Sequence, residues 1–248
     1  MRILQIVTIP VLTCLLLIAC RSTENPAAAP PLPGPGQAIA DLVKGEVIVH
    51  ATVQHPEGKP CIDDWGQRPQ AFAGCKYGAG GNAKYADFFV FLADVSVEQV
   101  HDSLLKLGAK PKVHYTIEEA KKRSGLKVGT KPEDYLQGDP VVISVFWQDG
   151  STWKELPYEE FVEEKVLVEG GEVVKPWTPH FVFHGSGAIH SSGTGCLACP
   201  CDCPGGIIAD NRYPVYDPKP ILRFDWTKAP PVGTQVYVRM RPICSRAE

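Results

Sequence analysis

The sequence lacks an excess of positive charge. Its 248 residues include 25 Lys and Arg against 28 Asp and Glu, which gives a formal net charge of −3 at pH 7. Proteins that bind nucleic acid or an anionic lipid surface through charge usually carry a basic patch or a basic net charge. The composition therefore argues against nucleic acid and against anionic lipid headgroups as partners.

The sequence also lacks short motifs that mark common catalytic and cofactor sites. No His follows a C-x-x-C pair, as c-type haem attachment requires, and Ser186 lies in HGSG rather than in the G-x-S-x-G turn of serine hydrolases. Gly78, Gly80 and Gly81 are not followed by the Lys-Ser/Thr of a phosphate-binding loop. These absences favour a protein that is not an enzyme.

An apolar segment begins the chain. Arg2 supplies one early positive charge, residues 3–19 are almost entirely apolar, and Cys20 follows. This pattern is typical of a signal peptide; an uncleaved anchor helix, the alternative, needs about 20 apolar residues. The last four residues, LIAC, resemble the lipobox of bacterial lipoproteins. The resemblance implies removal of residues 1–19, transfer of diacylglyceryl to the Cys20 thiol and acylation, for example with palmitate, of its amino group.

The residues after Cys20 predict where the protein works. In enteric bacteria an Asp at the next position favours the inner membrane, so Arg21 favours the outer membrane. Residues 20–40 are rich in Pro, Ala and Gly, and such a linker extends by about 3 Å per residue where it is polyproline-like. Residues 41–248 are long enough for one domain. We expect a cell-envelope domain that is tethered by lipid and meets an envelope protein partner.

Short strands dominate the predicted domain. Pro and Gly number 23 each, which indicates many turns and argues against an all-helical fold. Residues 45–54, GEVIVHATVQ, alternate in polarity and place four small apolar side chains on one face of a half-buried strand. Further strands are predicted at 87–93, 141–147, 152–156, 181–184 and 235–240, with a hairpin turn at Asp149-Gly150 between the second and third of these.

Three short helices accompany these strands. Ser96 and Gln99 have the spacing of a capping box at the start of the first helix, and Thr116 and Glu119 repeat it before a short charged one. Pro157 is typical of the first residue of a third helix. The sequence therefore predicts an α+β fold in a single domain: a mainly antiparallel β-sheet with two or three short helices.

Four stretches carry a resemblance to a known family: ADVSVEQVHDSLLKLGAKP (93–111), GDPVVISVFWQDG (138–150), HFVFHGSG (180–187) and APPVGTQVYVRMRP (229–242). Together they resemble the YdjY-like family of bacterial exported proteins. The resemblance implies the family's fold over most of residues 45–242 but supplies no catalytic residues, although some members have been labelled as iron–sulfur or ferredoxin-like proteins. The chain departs from the family in the loop around Cys61 and Cys75, in an insert around 118–138, and at His184.

The expected chemical state of each cysteine depends on the predicted compartment. Cleavage would remove Cys14 and lipidation would use Cys20, so seven of the nine cysteines remain: Cys61, Cys75, Cys196, Cys199, Cys201, Cys203 and Cys244. Compartments outside the inner membrane support disulfides. Candidate pairs are Cys61 with Cys75 and Cys196 with Cys203. Because seven is odd, at least one thiol must stay free, bind metal or pair with another chain.

The segment 196–203 is the one constellation that could carry chemistry. It places Cys196, Cys199, Cys201 and Cys203 within eight residues and is followed by Pro-Gly-Gly. Thiolates bind zinc, copper(I) and iron–sulfur clusters, but the spacing C-x₂-C-x-C-x-C matches neither the ferredoxin motif nor paired zinc knuckles. Structural disulfides, a metal centre and redox-active thiols all remain open.

Two functions follow from these features. The first is a non-catalytic envelope lipoprotein with a disulfide-stabilised domain that binds or scaffolds an unidentified ligand. The second is a metal-binding or redox lipoprotein that uses the cysteines of segment 196–203, with iron–sulfur, copper or zinc as the metal.

Overall fold

The structure is a computed structural model. It describes residues 32–55, 72–78, 80–113, 116, 118–119, 136–190, 192–212 and 221–244. The predicted signal peptide, Cys20, Cys61 and most of the predicted linker lie outside the described residues. The described residues all belong to one unit, Leu32–Glu248.

The described residues contain fifteen strands. In chain order they are β1 (Ala38–Asp41), β2 (Glu46–Val53), β3 (Ala73–Gly78), β4 (Gly81–Asn82), β5 (Phe91–Ser96), β6 (Pro111–Val113), β7 (Gln137–Asp149), β8 (Thr152–Pro157), β9 (Val162–Val168), β10 (Gly171–Pro176), β11 (Phe181–Phe183), β12 (Cys196–Cys199), β13 (Ile208–Asp210), β14 (Ile221–Phe224) and β15 (Gln235–Pro242). Three residues of the predicted linker, 38–40, therefore belong to strand β1.

Eight of these strands close into a barrel. The order around it is β2-β15-β7-β11-β13-β12-β3-β5, and β5 returns to β2. Strand β5 closes the ring because it pairs with β2 on one edge and with β3 on the other, so that Ala93 is opposite both Ala51 and Cys75. Two of the neighbouring pairs, β3 with β5 and β12 with β13, are parallel.

The predicted α+β fold is therefore wrong, because the protein is mostly β and its main sheet closes on itself. The physical reason is that side chains alternate along a strand in the same way in an open sheet and in a barrel. Closure depends instead on which distant strands pair, and the local sequence pattern carries no information about that choice.

The barrel interior is filled by side chains. The predicted inward face of β2 is confirmed, since Val47, Val49, Ala51 and Val53 are at most 1% exposed. They contact the buried face of the neighbouring β15, where Val236, Val238 and Met240 point into the same core. An eight-stranded barrel is narrow enough for side chains to pack its interior. The barrel is thus a packed scaffold that fixes the positions of the loops at its rim.

The remaining strands extend this scaffold. Strand β1 pairs with β2, and β8 forms the predicted hairpin with β7, with Gly150 in the turn at φ 61°. Strand β6 also pairs with β7, and β4 pairs with β3. A separate three-stranded sheet has the order β10-β9-β14. It packs on the barrel through aromatic rings: the centroids of Phe224 in β14 and Phe91 in β5 lie 5.8 Å apart.

Two α-helices occur in the part of the chain that the structure describes: α1 (Val97–Lys106) and α2 (Ser186–Ile189). The predicted start of α1 is confirmed. The Gln99 amide donates to Ser96 Oγ at 3.2 Å, and the Ser96 amide donates to Gln99 Oε1 at 2.9 Å. Helix α2 was not predicted. No helix within the described ranges has the length and apolar character needed to cross a bilayer.

The other helix predictions fare differently. Thr116 and Glu119 form the predicted reciprocal bonds, but most of the residues predicted to form this helix lie outside the described residues. The helix predicted from Pro157 is wrong. Residues Tyr158–Phe161 form one 3₁₀ turn, and β9 follows at once. The strand predicted at 87–93 is displaced, because Ala86–Phe88 form another 3₁₀ turn before β5 begins at Phe91.

Candidate thiol site

A short connection between two parallel strands builds the candidate site. Strands β12 and β13 are neighbours in the barrel, with Cys199 opposite Ala209, and only residues 200–207 join them. Parallel neighbours usually need a crossover of about a dozen residues or more. This shorter loop must double back along β12, and it brings Cys203 and Gly206 against the cysteines of that strand.

The two cysteines of β12 lie in one cluster although their spacing predicts opposite faces. Residues three apart in a regular strand point away from each other. Here the pairing of β12 with β3 shifts register between Cys196 and Ala198, as occurs at a β-bulge. Cys196 and Cys199 therefore pack together beside Phe89, and Cys203 packs against this group. The three residues are called the thiol cluster below.

A glycine in the neighbouring strand leaves space beside the thiol cluster. Strand β3 carries Gly74 opposite Cys196, and a Cβ on Gly74 would lie 2.2 Å from the ring of Phe89. Only glycine leaves room for the ring at this place. Phe89 can therefore cover Cys196 and Cys199, which are 8% and 4% exposed, whereas Cys203 remains partly exposed. The cluster thus runs from a covered end to a partly open one.

The sulfur of Cys199 is at the centre of the cluster. Cys199 packs with Cys196 and Cys203, and its single S–H can donate a hydrogen bond to the sulfur of either one. These hydrogen bonds, the one with Cys196 first, together with burial hold the pKa of the Cys199 thiol well above its ordinary value. Cys199 is therefore the protonated donor of the cluster at neutral pH.

The pKa of the Cys203 thiol is shifted in the opposite direction. The hydrogen bond from Cys199 is the main reason why the pKa of the Cys203 thiol lies below its ordinary value. The amides of Gly205 and Gly206 act in the same direction, against the effects of burial and of the Asp202 carboxylate. The Gly205 N–H lies 3.4 Å from Cys203 Sγ. Donors that favour the charged form lower a pKa in this way.

The turn that carries these two amides is fixed from the other side. The Gly205 carbonyl accepts hydrogen bonds from the hydroxyls of Thr194 and Ser192, the second at 2.7 Å. The Gly206 carbonyl accepts from the Gly187 amide at 2.6 Å. With their carbonyls engaged, Gly205 and Gly206 present their N–H groups to Cys203. The turn is therefore positioned before any ligand or substrate arrives.

Two buried carboxylates act on Cys201. Asp202 Oδ1 accepts a hydrogen bond from the Leu136 amide at 2.6 Å, and Asp202 is 2% exposed. Asp210, in β13, is fully buried and pairs with Arg212 at 2.6 Å. Burial, with the charges of Cys203 and of these carboxylates, holds the pKa of the Cys201 thiol well above its ordinary value. Cys201 therefore differs from Cys203 although both are partly exposed.

The predicted disulfides do not form in this structure. All six described cysteines, Cys75, Cys196, Cys199, Cys201, Cys203 and Cys244, are free thiols. Cys75 is fully buried in the barrel core, and its predicted partner Cys61 lies outside the described residues, as does the lipidation candidate Cys20. The metal site predicted at Cys196, Cys199, Cys201 and Cys203 stays a prediction. In the ranges that the structure describes, no group of three or more His, Cys, Asp or Glu is arranged to hold a metal ion.

His184 lies on the far side of the same loop. It is fully buried at the end of β11, where its amide donates to the Ile207 carbonyl at 3.0 Å and its Nδ1 accepts from the Ser186 amide at 3.1 Å. Ser186 is also fully buried. These contacts fix the turn into α2, which in turn holds Gly206. His184 has a structural role here.

Sequence reasoning missed the groups that support the thiols. The Pro-Gly-Gly after Cys203 was noted in the sequence but given no role, although glycines that follow a cysteine closely can direct amides at its sulfur. That spacing is a signal available in the sequence. The contact of Gly74 with Phe89 has no such signal, because it depends on the pairing of β12 with β3.

Comparison with known proteins identifies the family of the chain. No curated protein and no solved structure matches it. The sequence model of the YdjY domain matches residues 39–241, from the second residue of β1 to the penultimate residue of β15, which confirms the resemblance carried by the four stretches. Because this match covers most of the chain, the protein belongs to the YdjY domain family.

Proposed function

We propose that this protein is a lipid-anchored envelope protein whose thiol cluster exchanges disulfides with other envelope proteins. The observation that carries the proposal is the packing of the covered Cys199 against Cys203, a partly exposed residue. An exchange site needs an accessible thiolate that attacks and a second thiol close enough to resolve the mixed disulfide. Cys203 and Cys199 fit these two roles.

The surroundings of Cys203 support its role as the attacking group. The thiolate is the nucleophile in disulfide exchange, and neighbouring donors increase the fraction of thiolate near neutral pH. Cys203 has the Cys199 thiol and the Gly205 amide as donors. Cys199 is 4% exposed and cannot meet a large substrate directly. It can meet Cys203.

The reaction consists of two exchanges. The Cys203 thiolate attacks one sulfur of a substrate disulfide, a bond forms between them, and the other substrate sulfur leaves as a thiolate and takes up a proton. Cys199, after losing its proton, attacks the Cys203 sulfur, and the first substrate sulfur leaves and is protonated. The substrate disulfide is reduced to two thiols, and Cys199 and Cys203 are oxidised to one disulfide. The reverse sequence oxidises a substrate dithiol.

The proposed location rests on the first forty residues. A lipid on Cys20 would hold the protein on the outer membrane, and the Pro-rich linker would hold the barrel away from the bilayer. Compartments outside the inner membrane contain protein disulfides as substrates. A lipid-anchored exchange protein would meet them there.

The second candidate is a soft-metal site. Cys196 packs with Cys199 and Cys203, and three thiolates can bind copper(I) or zinc, although the described cysteines are not arranged around a metal position in this structure. A disulfide that only stabilises the fold, within a binding or scaffolding domain, is the remaining alternative. The same sample of protein separates all three functions.

The decisive experiment equilibrates the full-length protein, purified in mild detergent, with mixtures of reduced and oxidised glutathione. Acid quenching, alkylation and mass spectrometry then report the oxidation state of each cysteine, and elemental analysis reports metal. We expect a disulfide of Cys199 that forms and disappears reversibly, no stoichiometric metal, and loss of reversible oxidation in Cys199→Ser. Cys244→Ser is the control, because Cys244 lies outside the thiol cluster.

Two results would overturn the proposal. Copper, zinc or iron in proportion to the protein would establish the metal function instead. A disulfide that resists reduction across the whole range of glutathione mixtures would establish a structural one.

The anchor is tested separately by Cys20→Ala in a bacterial host. We expect the wild-type protein to sediment with membranes and to incorporate labelled fatty acid, and the variant to do neither. A variant that still sediments with membranes would show that an uncleaved helix, and not lipid, holds the protein.

A further inference from the structure

We propose that Cys199 is shared by two alternative disulfides, one with Cys203 and one with Cys196, and that the disulfide migrates from the first pair to the second. This inference rests on the proposed exchange function and deepens it, because it assigns a role to the third thiol. Its consequence is that the protein can be oxidised and still present a reactive thiol at Cys203.

The irregular geometry of β12 brings Cys196 and Cys199 to the same side of the strand. Cys196 and Cys199 occupy the two ends of this four-residue strand and on a regular strand would face opposite sides. The register shift between Cys196 and Ala198 changes this. Leu197 and Ala198 consequently both pack in the barrel core, and the two cysteines pack together outside it.

The loop of residues 200–207, which doubles back along β12, places Cys203 against the same group of side chains. Cys199 packs with both other cysteines, and one sulfur can form only one disulfide at a time. Cys196 and Cys203 therefore compete for Cys199.

The difference in exposure between Cys203 and Cys196 determines which of them reacts with a substrate first. Cys203 is partly exposed, while Cys196 is 8% exposed and lies under Phe89. A substrate can reach Cys203 first. Cys196 is limited to reactions with its neighbours in the cluster. Oxidation therefore enters at Cys203 and can pass only to the covered pair.

The migration is a thiol–disulfide exchange within the protein. Cys196 loses its proton and attacks the sulfur of Cys199 in the Cys199–Cys203 disulfide. A bond forms between Cys196 and Cys199, the bond between Cys199 and Cys203 breaks, and Cys203 leaves as a thiolate. The Gly205 amide, 3.4 Å from that sulfur, stabilises the leaving group. One proton is released to solvent, and no external oxidant or reductant is needed.

The class of substrate follows from the state of the protein that contains the Cys196–Cys199 disulfide. A protein that stores one disulfide and still carries a free Cys203 thiol, with the Gly205 amide as its remaining donor, can attack a further disulfide and form a mixed disulfide without a resolving thiol. Such a complex is released by a thiol of the substrate itself. The substrates of this state are therefore proteins with a misplaced disulfide and a free cysteine, which leave with their disulfide moved.

The test maps the disulfides of full-length protein after oxidation by excess oxidised glutathione, acid quenching and alkylation. In the wild type we expect both pairs, with Cys203 alkylated or bound to glutathione in the molecules that contain Cys196–Cys199. Cys196→Ser should contain only Cys199–Cys203 and lose both the alkylated and the glutathione-bound forms of Cys203. Cys203→Ser should contain only Cys196–Cys199, and Cys244→Ser should match the wild type.

The outcomes separate this inference from the exchange function. If wild type and Cys196→Ser both contain only a reversible Cys199–Cys203 disulfide, the migration is refuted and the exchange function stands. A reversible disulfide between Cys201 and any member of the thiol cluster also refutes it. If Cys199 forms no disulfide that glutathione can reduce, both proposals fail. Wild-type mapping alone decides the matter if a variant does not fold.

Discussion

The backbone of Gly206 lies against the sulfur of Cys199, and a Cβ on Gly206 would come within 3.1 Å of that sulfur and 3.2 Å of the Cys196 Cβ. Gly206→Ala should therefore push the two cysteines apart and destabilise the reduced protein by about 1–3 kcal/mol, as overpacking does. Urea unfolding measures this change. Gly34→Ala is the control, because its new Cβ meets nothing closer than 3.9 Å.

The reactivity of Cys203 should depend on Cys199. Because the hydrogen bond from Cys199 lowers the pKa of Cys203, its alkylation rate should reach half its maximum below the pH of about 8.5 that is ordinary for a cysteine. Cys199→Ala removes the donor and should raise this midpoint, and Cys199→Ser, which keeps a hydroxyl donor, should raise it less. Iodoacetamide labelling between pH 5 and 10, followed by mass spectrometry, gives the midpoints. Equal midpoints in all three proteins would contradict the assignment of Cys199 as donor.

Gly138 should be the least replaceable glycine of the barrel. It directly precedes Asp139, which pairs with Phe183 of β11, and a Cβ there would lie 1.7 Å from the Phe183 carbonyl oxygen. Since the obstacle is backbone, no side chain can turn aside. Gly138→Ala should cost more than the roughly 1–3 kcal/mol of ordinary overpacking and reduce the yield of folded protein. Thermal unfolding beside Gly34→Ala measures the difference, and equal melting temperatures would refute it.

The start of α1 offers a smaller and separate test. Ser96 and Gln99 bond each other reciprocally, and loss of a serine cap typically costs about 1 kcal/mol. Ser96→Ala should lower the free energy of unfolding by about that amount and leave the thiol cluster unchanged. Ser151→Ala, at the exposed tip of the β7–β8 hairpin, should be neutral. A loss in both variants would point to a general effect of removing hydroxyls.

The local elements of this fold were predictable because their signals are local. The inward face of β2, the capping box at Ser96 and the turn at Gly150 follow from residues a few positions apart, and all three are confirmed. The barrel was not predictable in this way. Its closure depends on β5 pairing with both β2 and β3, and the parallel pairing of β12 with β13 across a short loop runs against the usual rule.

The same distinction between local signals and distant pairing applies to the candidate site. Cys196, Cys199 and Cys203 were singled out from their spacing, and the structure brings them together. The order among them could not be deduced. Which sulfur is central depends on a register shift in β12 and on the path of the loop. The sequence pattern also grouped Cys201 with the others, yet burial beside two carboxylates separates its chemistry from that of Cys203.

The pairing of β2 with β15 sets the order in which the molecule can assemble. Val47 is opposite Met240, so the first long strand of the barrel needs almost the last described residues as its neighbour. Contacts between such distant parts of a chain form slowly, because a large loop must close before they contribute. A chain delivered from its N-terminus therefore keeps an open edge at β2 until β15 emerges. If export proceeds as proposed, the thiols of β12 reach the oxidising side before the barrel around them is complete.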